Sequence, residues 1–201
     1  MFFEINHDKL VERTYLNIDQ TKITIGLLSL EEFLPIYKDL GIDIDSVIQC
    51  QKLSKKFQHT PFFYPNYHFG LLHILGIETM QQSKTRFAFY LMPHLFLIIQ
   101  LNDANGMIRS SFDSLCEYAT TQTSSSLLHL FASFMTMFLT KDNELFEKYQ
   151  LELAKLEIFA LHSDSNEIKT QLFHWRKNFF IIFSFISSWF LLILYFMASI
   201  L

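Results

Sequence analysis

The sequence predicts an α/β (α+β) domain built on a mixed sheet, followed by a long helical hairpin and a C-terminal apolar helix. Three observations carry this. Short β-type and helical runs alternate up to about residue 122. From Ser126 a stretch without Gly or Pro repeats apolar residues at three- and four-residue steps. The chain then closes on "FFIIFSFISSWFLLILYFMASIL", Phe179 to Leu201, which contains no charge, Gly or Pro. The expected divisions are a cytoplasmic α/β domain at 1–122, a hairpin at 123–178 and a transmembrane helix at 179–201.

In chain order, "MFFEIN" and "KITIG" read as short strands. Ser29 stands three residues before Glu32 in "SLEEFLPIYKDLG", the spacing of a capping box, and Gly41 suits the end of a helix of about three turns. Asp43 or Asp45 can cap the next short helix, "IDIDSVIQCQKL". Pro61 and Pro65 mark a loop. After it, "YHFGLLHILGI", "TRFAFYLM" and "LFLIIQL" have the length and continuous apolarity of central strands covered on both faces. "SSFDSLCEY" is a further short helix, and the polar "TTQTSSS" marks a domain edge.

The stretch from 126 to about 162 is expected to be one helix, with Leu127, Phe131, Phe134, Phe138, Leu145, Tyr149, Leu156 and Ala160 along its apolar seam. At ~1.5 Å per residue it would be about 54 Å long and must pack on another helix or subunit. "HSDSNE" breaks it, with Asp164 and Glu167 spaced as a capping box for a returning helix that begins "NEIKTQLFHWRK".

Composition excludes several classes. The net charge of -4 over 201 residues leaves no basic footprint for nucleic acid. The two cysteines, Cys50 and Cys116, have no CxxC or Cys/His spacing, so no disulfide framework or zinc site is indicated. "MFFEINHDKLVERTY" lacks a basic segment followed by an apolar one, so it is no signal peptide, and the body is expected in the cytoplasm. HExxH, GxGxxG, P-loop and G-x-S-x-G motifs are all missing, and no catalytic residue or cofactor is assigned. His68 and His73 are oddly spaced on a strand and so lie on opposite faces. Asp103, His94 and the acidic set Asp142, Glu144 and Glu147 are the oxygen- and nitrogen-bearing candidates for a hard divalent cation; the alternative is that the acids form a solvated helix face.

The 23-residue terminal run would measure about 34 Å as a helix, enough for a bilayer core. Its serines can bond back to helix carbonyls. Trp175, Arg176 and Lys177 immediately precede it, the composition of a cytoplasmic membrane interface.

"ITIGLLSLEEFLPIYKDLGIDIDSVIQCQ", "FAFYLMPHLFLIIQLND", "SLLHLFASFMTMFLTKDNELFEKYQLELAKLEI" and "EIKTQLFHWRKN" together resemble the CorA family of magnesium and divalent-cation transporters, over about residues 20–178. The resemblance implies a cytoplasmic α/β domain that regulates a pore formed by five subunits. It also implies Mg²⁺ or another divalent cation as regulatory or transported ion, a cell-membrane location and a homo-oligomer. The family's Gly-Met-Asn pore signature has no counterpart, and Met197 stands in "FMASI" instead. The expectation is therefore a truncated homologue that retains the cytoplasmic regulatory domain and does not transport alone. A frameshift near Lys177 and Asn178 would account for the abrupt change, which the nucleotide sequence can decide. The alternative reading is a tail-anchored cytoplasmic adaptor that binds a protein partner.

Overall fold

The computed structural model describes residues 1–6, 9–52, 62–74, 85–121 and 126–162. Seven strands form one sheet: β1 (Phe2–Asn6), β2 (Lys9–Arg13), β3 (Thr24–Ser29), β4 (Phe62–Tyr64), β5 (Tyr67–Ile74), β6 (Thr85–Leu91) and β7 (Leu95–Asp103). Their order is β2-β1-β3-β7-β6-β5-β4. Among the described residues, only the central β3–β7 pair is parallel, with Thr24 opposite Leu95 and Ser29 opposite Gln100; the remaining pairs are antiparallel. The helices are α1 (Leu30–Phe33), α2 (Ile44–Gln51), α3 (Met107–Thr121) and α4 (Leu127–His162). The chain divides into two compact units, Met1–Met135 and Thr136–Leu201.

In the first unit, alternation along the central strands sends side chains to two covered faces. Leu95, Leu97 and Ile99 of β7 join Ala88 and Tyr90 of β6 and Tyr67 and Phe69 of β5 in one core, which Phe33, Ile36, Val47 and Cys50 complete from α1, the turns after it and α2. Phe87 and Phe89 of β6 and Phe96 of β7 point the other way. There they meet Phe131 and Phe134 of α4 at ring-centroid separations of 5.0 to 5.6 Å. Phe112 of α3 packs beside Phe3 at 6.2 Å on that same face. The strand-length apolar runs thus become buried central strands, as their composition implies.

Two glycines make room for this packing. A Cβ on Gly70 would come within 2.5 Å of Phe89 Cζ, and one on Gly26 within 2.8 Å of Phe2 Cδ1. Gly70 and Phe89 are direct cross-strand partners, as are Gly26 and Phe2, so each ring occupies the volume that its partner's missing side chain leaves free.

The Ser29–Glu32 capping box forms as its spacing predicts: Glu32 N donates to Ser29 Oγ at 3.2 Å, and Ser29 N to Glu32 Oε2 at 2.7 Å. The expected three-turn helix does not follow. Regular helix stops after Phe33, because Pro35 has no N–H to continue the ladder, and the chain proceeds by turns to Gly41 at φ 72°. Asp43 provides the N-cap position of α2. The loop that the prolines mark contains the short edge strand β4, and the charged "KLVER" forms the opposite edge, β2.

α4 runs as one helix over almost the predicted span, and Ser126 Oγ accepts from His129 N at 3.2 Å at its start. The returning helix, the interface residues Trp175, Arg176 and Lys177, and the apolar run 179–201 lie outside the described residues. Among the described residues, no helix is long and apolar enough to cross a membrane.

Candidate functional site

α4 carries three of the acids singled out as metal candidates, Asp142, Glu144 and Glu147. Positions 144 and 147 are three apart and share a side of the helix; position 142 is two from 144 and falls on another side. Glu147 is exposed. Asp103 and His94 do not meet, since they lie at or just beyond opposite ends of β7, roughly 30 Å apart at ~3.3 Å per strand residue. Asp103 is engaged elsewhere. Its two carboxylate oxygens accept from Ile108 N at 3.0 Å and Arg109 N at 3.1 Å, capping the start of α3, and from Gln100 Nε2 at 3.1 Å. The His94 carbonyl accepts from Thr24 N at 2.8 Å. Positions 68 and 73 fall on opposite faces of β5, and burial lowers the His68 pKa. Among the described residues, no group of three or more His, Cys, Asp or Glu is placed to hold a metal ion.

Two polar centres come together that no sequence motif marks. In the first, Glu4 is 1% exposed on β1 yet fully paired: Arg13 Nε and Lys22 Nζ reach its two oxygens at 3.0 and 2.9 Å. Hydrogen bonds from Arg13 and then Lys22 hold its carboxyl below the ordinary value of 4.5. A signal for it exists in "FFEIN": Glu4 shares the parity of buried Phe2, so alternation turns a charge inward, where it needs a partner.

The second centre ties α2 to the sheet. Asp43, Ser46 and Cys50 repeat at three- and four-residue steps and form one stripe of the helix. Asp43 N donates to Tyr67 Oη at 3.0 Å, and that hydroxyl lies 3.2 Å from Asp43 Oδ2, to which it donates. Ser46 Oγ donates to the Asp43 carbonyl at 2.8 Å, lies 3.2 Å from Tyr67 Oη and accepts from Tyr90 Oη at 3.3 Å. Cys50 Sγ lies 3.5 Å from Tyr90 Oη. Burial pushes Tyr67 up to about 12 and Cys50 up to about 11, and it raises Tyr90 further still. These groups remain neutral near pH 7, which makes them poor nucleophiles and serviceable hydrogen-bonding pins. Residues 43, 46, 50, 67 and 90 are too dispersed in sequence to announce the network.

The mixed seven-stranded sheet with one parallel central pair, helices on both faces and the long α4 is the fold of CorA-like cytoplasmic domains. Solved structures that share it include the ZntB cytoplasmic domain from Vibrio parahaemolyticus, with a TM-score of 0.65 and 8% identity over 94% of this chain and 74% of that one. The full-length CmaX protein gives a TM-score of 0.62 at 8% identity. The CorA magnesium transporter from Methanocaldococcus jannaschii gives 0.62 at 14% identity. The latter two matches cover 88% of this chain, which spans 56% of each of those longer chains. No protein-family model matches the sequence, and no curated protein matches it by sequence.

Proposed function

We propose that this chain is the cytoplasmic regulatory part of a CorA-like divalent-cation transporter, held at the cell membrane by residues 179–201 and assembled as a homo-oligomer, a pentamer as the resemblance implies. The observation that carries the reading is the likeness of the fold, at a TM-score of 0.65 over 94% of this chain, to the ZntB cytoplasmic domain. The apolar run of Phe179 to Leu201 behind Trp175, Arg176 and Lys177 supports attachment to a bilayer. Mg²⁺ or another hard divalent cation is the ion concerned. Glu144 and Glu147, on one side of α4, are the oxygen donors proposed to meet it, with Asp142 a further acid on another side. The domain senses the ion and does no covalent chemistry; its polar centres maintain the fold.

The test uses the full chain expressed in membranes and extracted in detergent. Cross-linking to five subunits, together with protease protection that rises with magnesium, is the expected result. A monomer whose cleavage is indifferent to magnesium overturns the proposal and is the behaviour of a tail-anchored adaptor.

A further inference from the structure

We draw no further inference here: the strongest candidate, the apolar surface that Leu151 and Ile158 leave exposed seven residues apart on α4, carries nothing because nothing in the structure shows what covers it.

Discussion

The Glu4 carboxylate receives Arg13 diagonally across the β1–β2 ladder, with Nε at 3.0 Å from Oε2 and Nη2 at 3.3 Å from Oε1. Lys22 completes the arrangement from the chain just before β3, so a single inward-turned acid joins three segments of the sheet's edge. Glu4→Gln should lower stability by on the order of 1 kcal/mol, a modest figure because both cations are partly solvated. The loss should depend on pH. Pairing holds the folded-state pKa below the unfolded value near 4.5, so the contribution is complete above that value and disappears as pH falls through the folded one. Urea unfolding of both proteins at pH 7 and at pH 3 measures this; an equal difference at the two pH values refutes it.

Gly70→Ala should destabilise the domain by about 1–3 kcal/mol, the usual range for overpacking. The new methyl would meet the Phe89 ring, which packs on Phe131 at a centroid separation of 5.0 Å, so a shift of the ring disturbs that contact. A double variant, Gly70→Ala with Phe89→Leu, should show a strongly non-additive loss. Thermal unfolding of the two single variants and the double gives the coupling; simple additivity would remove the packing explanation.

Thr24→Val tests a buried polar atom. Thr24 is 0% exposed, and its Oγ1 has no hydrogen-bond partner among the described residues. Exchanging that hydroxyl for a methyl of similar size should leave stability unchanged or raise it by up to about 2 kcal/mol. A loss beyond 1 kcal/mol would mean that the oxygen is satisfied, and the explanation would then pass to a bound water.

Both thiols should be inert in the folded protein. Burial pushes Cys50 up to about 11 and Cys116 up to about 12, so at pH 8 their thiolate fractions fall about two and about three orders of magnitude, respectively, below that of a free cysteine. A chromogenic disulfide reagent should react slowly with native protein and rapidly with both groups in guanidinium chloride. Fast labelling of Cys50 before unfolding contradicts its burial, and fast labelling of the half-buried Cys116 contradicts its raised pKa.

Much of the fold was legible because particular residues encode it locally. The apolar runs "TRFAFYLM" and "LFLIIQL" have the length and continuous apolarity of buried strands, Ser29 and Glu32 announce a helix start, and the absence of Gly and Pro after Ser126 lets α4 continue. The features that escaped did so for definite reasons. β2 is an edge strand in which Lys9, Glu12 and Arg13 are charged and no residue is buried, leaving almost no apolar signature. α1 is shorter than its cap suggests because Pro35 interrupts a pattern that remains amphipathic through Leu40. The pins of α2 were illegible for a different reason: Tyr67 and Tyr90 reach Ser46 only after β5 and β6 pair, a relationship between segments rather than within one.

The single parallel joint between β3 and β7 gives the domain an order of assembly. Its partners, Thr24 and Leu95, are some seventy residues apart, so the first three strands leave one long edge unpaired until β7 has been synthesised. Closing so long a loop precedes the gain from pairing it, which places this joint late and slow in folding. On the ribosome, the amino-terminal strands would wait as an incomplete sheet, and the domain would become protease-resistant only after β7 and the α3 and α4 residues that cover its second face have emerged.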